Sequence, residues 1–201
     1  TLLMSAVGNF FPIFKGGNTL PSIIVASILL WGVHFLILRG VETAAFINSI
    51  VTVAKLIPIF LVIICMIVVF NLSTFKSGFY GMTSGSVGVF SWGDTMAQVK
   101  STMLVTVWVF TGIEGAVVFS GRAKSKKDVG TATVIGLISV LVIYFLMTVL
   151  AQGVIQQNQI SKLANPSMAQ VLEHIVGHWG SVLVNIGLII SVLGAWLGWT
   201  L

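Results

Sequence analysis

Residues 129–153 contain no formal charge over 25 consecutive positions. A run of this length can cross the hydrocarbon core of a bilayer as a helix, which needs about 20 apolar residues. The whole chain is 57% hydrophobic and 7% charged, whereas soluble domains carry about 25% charged residues. The apolar runs are continuous and lack the alternation of an outer-membrane barrel. The sequence therefore predicts an all-α integral membrane protein.

The predicted spans alternate with polar segments. They cover residues 21–38, 44–70, 97–121, 129–153 and 181–201, which gives about five spans after the end of an earlier helix. Residues 166–178 show apolar side chains at helical spacing and predict a short amphipathic helix outside the membrane. The chain begins and stops in apolar sequence. We therefore expect one transmembrane domain, residues 1–201, that is a fragment of a longer protein.

Basic residues predict the orientation in the membrane. Four of the ten Lys and Arg residues lie within six positions, at Arg122, Lys124, Lys126 and Lys127. Such a dense basic loop is typical of the cytoplasmic side, so residues 71–98 and 155–180 are predicted to lie outside. A nucleic-acid site would need a basic face on a soluble fold, which this sequence does not offer. We expect a multi-pass protein of the inner or plasma membrane whose surroundings are lipid.

An acid interrupts the predicted span 97–121. Glu114 lies there between Gly112 and Gly115. A carboxylate within the membrane is costly and therefore suggests a functional site. The two glycines make a break in the helix inexpensive, and a broken helix is tolerated only around a cavity or inside protein. Glu114 is interpreted as a gating or proton-linked group, and the alternative is a protonated structural carboxyl bonded across helices.

Three further residues are candidates for a transport site. Trp108 lies near the predicted break and can stack on a substrate by a cation–π contact, or it packs against neighbouring helices. Lys55, deep in the span 44–70 and three residues before Pro58, is a fixed cation that partners Glu114 or replaces a bound cation, unless it snorkels to an interface. Trp199 follows Gly198 and either lines a cavity or belongs to the interfacial aromatic belt.

No cofactor, metal site or catalytic pair is predicted. The lone cysteine, Cys65, lies in an apolar run and is interpreted as a buried hydrophobe. His174 and His178 are spaced for a shared ligand, but no acid or thiol in the pattern completes a metal site. A nucleophile with its base is also missing from the sequence pattern, so we do not expect an enzyme.

Three motifs resemble the amino acid–polyamine–organocation transporters and lie in the same order. Trp108-Val-Phe-Thr-Gly-Ile-Glu-Gly-Ala, followed by a basic loop, resembles their sixth helix. Leu38-Arg-Gly-Val-Glu with Lys55-Leu-Ile-Pro resembles the passage from the fourth to the fifth helix. Gly194-Ala-Trp-Leu-Gly-Trp-Thr-Leu resembles the start of the eighth. The resemblance covers the whole chain and is closest to the basic amino acid antiporters, especially those for arginine and ornithine.

The resemblance implies an inverted-repeat (LeuT-like) fold with a broken sixth helix. This chain would cover the end of helix three to the start of helix eight. Trp108 matches the tryptophan that stacks over the substrate, Thr111 and the adjoining Gly112 fall in the pocket region, and Trp199 matches a residue that narrows the inner path. The family's first helix, which binds the substrate's carboxylate and amine, is not in this chain.

The resemblance also implies how transport is coupled. Glu114 matches a glutamate of the gating and proton-linked region. Lys55 matches a lysine near the position where sodium binds in sodium-coupled relatives, which implies sodium independence. The predicted function is arginine/ornithine exchange with an amino acid as the small-molecule partner, and homodimer formation is left open. The alternatives are a proton-coupled amino acid permease and, from another class, a non-transporting amino acid sensor or membrane subunit.

Overall fold

The computed structural model describes residues 2–38, 41–78, 82–83, 86–87, 90–113, 115, 119–123 and 125–200. The chain forms two compact units, one made of Thr1–Phe70 with Gln159–Leu201 and the other of Asn71–Asn158. The first unit is discontinuous, because the C-terminal part of the chain returns to pack on the N-terminal part. Each unit is described below by itself.

The described residues are almost entirely helical, which confirms the predicted all-α class. Single helical turns of the 3₁₀ type occupy Pro12–Phe14 and Phe119–Arg122, and the two-residue strands Met82–Thr83 and Ser86–Val87 pair antiparallel. The α-helices are α1 (Leu2–Gly8), α2 (Leu20–Leu38), α3 (Val41–Val69), α4 (Leu72–Gly78), α5 (Trp92–Phe110), α6 (Lys126–Val154), α7 (Gln157–Ile160), α8 (Ser167–Val176) and α9 (His178–Thr200).

Within the described ranges, four helical segments are long and apolar enough to cross a membrane. They are Leu20–Leu38, Phe46–Val69, Lys126–Val154 and His178–Thr200. Helix α5 is not one of them, because its first half carries Asp94, Gln98 and Lys100. The sequence predicts a span over 97–121, whereas the helix begins at Trp92 and ends at Phe110.

Capping residues explain why α2, α5 and α6 begin before the predicted spans. The hydroxyl of Thr19 accepts the N–H of Ser22 at the start of α2. The hydroxyl of Ser91 accepts the N–H of Asp94 at the start of α5. At the start of α6, Ser125 accepts from Lys127. These side chains satisfy N–H groups that have no partner inside the helix. Each helix therefore begins at its cap, outside the apolar run.

The first unit is built around the packing of α9 on α3. Glycines on α9 allow the two backbones to approach closely. A Cβ atom added at Gly187 would lie 2.6 Å from Cγ of Pro58. At Gly194 an added Cβ would collide with Cγ1 of Val51, and Gly198 lies over the side chain of Asn48. Residue numbers fall on α3 as they rise on α9, so the two helices run antiparallel.

The same face of α9 also receives the amphipathic helix. Gly180 is seven residues before Gly187, and a Cβ there would lie 2.6 Å from a methyl carbon of Val176 and 2.9 Å from Cγ of Leu172. Helix α8 buries Ala169, Val171 and Leu172. Its last turn ends at Gly177, which has φ +84° and donates its N–H to the carbonyl of Glu173 at 2.9 Å. The chain therefore turns sharply from α8 into α9.

A polar bond joins the N-terminal segment to the middle of α9. The side-chain amide of Asn9 donates to Oδ1 of Asn185 at 2.8 Å, and Asn185 donates in turn to the carbonyl of Ser181 at 2.8 Å. Asn185 is 4% exposed. A buried amide without partners is costly, so this bond fixes α1 against α9 beside the buried side chains of Leu3 and Met4.

The second unit pairs short and long helices. Helix α4 packs on α6, and the N–H of Asn71 donates to the carbonyl of Gly153 at 3.0 Å. The carboxamide oxygen of Asn71 accepts the N–H of Ser73 at 2.9 Å and so caps α4. The ring of Phe110, the last residue of α5, meets the ring of Tyr144 on α6 edge to face at 6.0 Å. This contact places the end of α5 beside α6.

The α3–α9 contact predicts an unequal response to two glycine substitutions. Gly187→Ala should lower the stability of the full-length protein by about 1–3 kcal/mol, because the new methyl overlaps Pro58 and forces backbone shifts. Gly32→Ala on α2 is the matched control, since an added Cβ there has nothing within 4 Å. Thermal unfolding in detergent measures both. Equal midpoints for the two variants would contradict the close packing.

Candidate functional site

Helix α5 ends within the motif for which the sequence predicts a break in the helix. Phe110 is its last residue, and Thr111 adopts an extended backbone with φ −64° and ψ 135°. Gly112 follows with φ +106°, and its carbonyl accepts the N–H of Gly115 at 3.0 Å. The predicted break near Gly112 is therefore present as the end of an α-helix followed by a tight turn.

The turn needs a glycine at position 112. A side chain at φ +106° meets steric repulsion from its own backbone, which costs about 1–3 kcal/mol. Gly115 also adjoins Glu114 in the sequence, but it does not have positive φ, and an added Cβ there has nothing within 4 Å. The two glycines of the motif thus differ in role, and the conformational requirement lies at Gly112.

Two predicted site residues lie together at this helix end. Trp108 has 76% of its surface exposed, and its carbonyl accepts the N–H of Thr111 at 3.1 Å. The hydroxyl of Thr111 donates to the carbonyl of Val107 at 3.3 Å. The donor of the threonine is thereby used within the helix, while its oxygen can still accept. An exposed indole and a hydroxyl oxygen thus border the break.

Glu114 lies outside the described residues. Its role as a gating or proton-linked group, and its pairing with Lys55, therefore stay predictions from the sequence.

Lys55 and Trp199 belong to the first unit. Lys55 is partly buried on α3, one turn before Pro58, and Trp199 is 72% exposed near the end of α9. Asn48, which faces Gly198, precedes Lys55 by seven residues, or about 10 Å of helix at 1.5 Å per residue. Because Trp199 adjoins Gly198, the side chains of Lys55 and Trp199 start at different depths along the α3–α9 pair.

The amide–amide hydrogen bond between the exposed Asn9 and the buried Asn185 was not predicted from the sequence. Its local signal is an asparagine inside the apolar run 181–201, because an amide in a membrane span needs a partner. The partner itself lies 176 positions away and has no signal in the sequence around it.

The helical spans define the class of this protein as a multi-pass, α-helical protein of the cell membrane. The family model described as amino acid permease matches residues 1–201. The chain belongs to the amino acid permease family, and the resemblance seen in the sequence is confirmed.

Curated relatives match along almost the whole chain. It is 53% identical over 200 residues to an arginine/ornithine antiporter of Pseudomonas aeruginosa, covering 100% of this chain and 40% of the relative. It is 50% identical over 201 residues to an arginine/ornithine antiporter of Latilactobacillus sakei, covering 100% and 42%. An arginine/agmatine antiporter of Chlamydia felis is 48% identical over 200 residues, with 99% and 41% covered. The chain thus spans about two fifths of the length of these relatives.

The backbone at the break predicts different outcomes for its two glycines. Gly112→Ala should lower the yield of folded full-length protein and its unfolding temperature, because alanine is strained at φ +106°. Gly115→Ala should leave both close to the parent values, since the added methyl has free space. Fluorescence-detected gel filtration with a temperature series measures folded protein. The reverse order of sensitivity would show that the strain lies at Gly115.

Proposed function

We propose that the full-length protein containing this chain exchanges arginine for ornithine across the cell membrane by alternating access. The observation that carries the proposal is the 53% identity, over the whole chain, to an arginine/ornithine antiporter. Arginine is the substrate that the names of the two arginine/ornithine antiporters and of the arginine/agmatine antiporter share. The helix break beside an exposed indole supports a transport site over a purely structural membrane subunit.

Each predicted site residue has a proposed role. The indole of Trp108 stacks on the guanidinium group of arginine, an interaction that arginine favours through its planar cation. Thr111 offers a hydroxyl oxygen as acceptor, and Gly112 forms the turn that follows it. Trp199 narrows the inner part of the path. These roles rest on the sequence motif, and the exposure of both indoles is compatible with them.

Lys55 supports exchange without sodium. A fixed ammonium group at a cation's position supplies the charge that a bound sodium ion would bring. The partial burial of Lys55 on α3 suits this role better than an interfacial position. Transport by the full-length protein should therefore proceed equally in sodium and choline buffers.

The experiment that tests the proposed function follows labelled arginine into liposomes that contain the full-length protein. Uptake should occur into vesicles preloaded with ornithine and be close to background in empty vesicles, because the empty carrier reorients slowly. Equal uptake into empty vesicles under an inward proton gradient would instead identify a proton-coupled permease. Arginine binding without flux in either preparation would identify a sensor. Each of these outcomes is transport or binding, and we propose that the protein catalyses no reaction.

Glu114 separates the antiporter from the permease. Glu114→Gln removes the titrating carboxyl while keeping its size and hydrogen-bonding capacity. Exchange should survive in the antiporter, whereas a permease that carries the proton on Glu114 should lose the pH dependence of its uptake. Uptake measured between pH 5 and 8, around the range in which a buried carboxyl can titrate, distinguishes the two. Complete loss of exchange by this variant at every pH would contradict the proposed survival of exchange.

The role of Trp108 predicts a specific loss of affinity. Trp108→Leu should weaken arginine binding about tenfold, because a cation–π contact contributes roughly 1–2 kcal/mol. Trp92→Leu is the matched control, since Trp92 is similarly exposed at the other end of α5. Isothermal titration of arginine into the detergent-solubilised full-length protein measures both variants. Equal weakening by both substitutions would contradict a direct contact at Trp108.

A further inference from the structure

Two asparagines lie in the membrane-spanning helices of the first unit, and they differ in their hydrogen bonding. Asn185 on α9 is buried and accepts a hydrogen bond from Asn9 at 2.8 Å. Asn48 on α3 is half-buried, and its carboxamide forms no hydrogen bond within the part of the chain that the structure describes. The first amide has a structural partner, so the second requires a separate explanation.

The carboxamide of Asn48 is directed at α9. A Cβ atom added at Gly198 would lie 3.6 Å from its Oδ1 and 3.7 Å from its Nδ2. At Gly194, one turn earlier on α9, an added Cβ would lie 4.0 Å from the same Oδ1. These separations would admit a methyl group, whereas the 2.6 Å between Pro58 and a Cβ at Gly187 would not. The contact between α3 and α9 is therefore looser at Asn48 than at Pro58.

An amide at a contact between membrane helices needs a polar partner. The hydroxyl of Thr52, one turn along α3, donates to the backbone carbonyl of Asn48 at 2.8 Å and therefore does not serve its carboxamide. The two glycines that Asn48 faces on α9 have no side chains to offer. The donor and the acceptor of the carboxamide are thus both available to a ligand.

Asn48 lies beside the residue that is proposed to narrow the inner part of the path. Gly198 and Trp199 are consecutive on α9, and Trp199 is 72% exposed. Asn48 lies two positions inside the apolar segment Phe46–Val69, which starts at the cytoplasmic side in the predicted orientation. Lys55 lies about 10 Å further along α3. The carboxamide therefore lies at the inner end of the proposed path, apart from the lysine.

We infer that the carboxamide of Asn48 binds the transported amino acid at the inner end of the path, with Oδ1 accepting a hydrogen bond from a cationic group of the substrate. The inference rests on the proposed function and adds a contact on the cytoplasmic side. Arginine and ornithine both carry an ammonium group beside their carboxylate, so the same oxygen serves either substrate. A neutral amide binds a cation less strongly than a carboxylate does, which suits a position that the substrate must also leave.

Exchange measured from each side of the membrane tests this contact. In inside-out vesicles that contain the full-length protein, Asn48→Leu should raise the KM for arginine about tenfold, as expected for the loss of a hydrogen bond to a charged group. In right-side-out vesicles the KM should stay close to the parent value. Asn48→Gln retains the acceptor and should recover much of the loss. Equal increases on both sides, or no increase on either, would overturn the inference.

Asn185→Leu is the matched control, because it removes the amide that already has a partner in the fold. It should lower the unfolding temperature of the full-length protein and leave the KM of the folded protein close to the parent value on both sides. A rise in the cytoplasmic KM as large as that of Asn48→Leu would show that lost packing explains both variants, and the contact at Asn48 would be rejected.

Cysteine accessibility tests the same contact without depending on turnover. In a full-length background without other cysteines, Asn48→Cys should react with a membrane-impermeant methanethiosulfonate from the cytoplasmic side, and arginine should slow this reaction. Ile50→Cys is the control, since Ile50 is 54% exposed and lies about 200° around α3 from Asn48, and it should not react. An unreactive Asn48→Cys would show that another segment covers this position. Reaction that arginine does not slow would show hydration alone, and either result contradicts the inference.

Failure of the proposed function can be distinguished from failure of this inference. A parent protein that does not exchange arginine for ornithine would reject the proposed function. Slower modification of Asn48→Cys by whichever amino acid the parent does transport would then still support the contact. If no transported amino acid slows the modification, the inference is wrong.

Discussion

The close contact between α3 and α9 is the interaction on which the first unit depends. Inside a membrane the hydrophobic effect does not drive helices together, since lipid tails are as apolar as the side chains, and close van der Waals packing takes its place. The glycines at 187 and 194 remove the side chains that would separate the two helices, and Pro58 and Val51 occupy the space. Gly180 extends the same face to α8. One surface of α9 thus organises both its long neighbour and the amphipathic helix.

Polar groups within the apolar helices occur in two structural arrangements. Asn185 is buried and receives a hydrogen bond from Asn9, so an amide in the middle of a span becomes a link between helices. At the end of α5 the helix gives way to a turn at Gly112. The first arrangement fixes a helix in place, whereas the second ends a helix beside the exposed indole of Trp108. This difference is why the break, and not the amide pair, is the better candidate for a transport site.

The sequence predicted the helices and the break, but it did not predict which surfaces meet. Uncharged runs longer than a bilayer requires leave no alternative to a membrane helix, and the glycine pair around Glu114 predicted the end of α5. Helices α2, α5 and α6 begin before the spans predicted from the sequence, because their capping hydroxyls lie outside the apolar runs. The contact of Gly187 with Pro58 and the bond between Asn9 and Asn185 depend on tertiary packing, for which the local sequence contains no partner signal.

The composition of α5 is compatible with its proposed place beside a transport path. Thr95, Gln98, Thr102 and Thr106 recur at intervals of three or four residues and therefore share one face of the helix. The hydroxyls of Thr102 and Thr106 donate to carbonyls within the helix. These bonds lower the free-energy cost of burying this polar face, but the face remains polar. A face of this kind is unfavourable against hydrocarbon, so it belongs against protein or water. The long helix with such a face is also the helix that ends at Gly112, and both features are expected of a helix that borders an aqueous cavity.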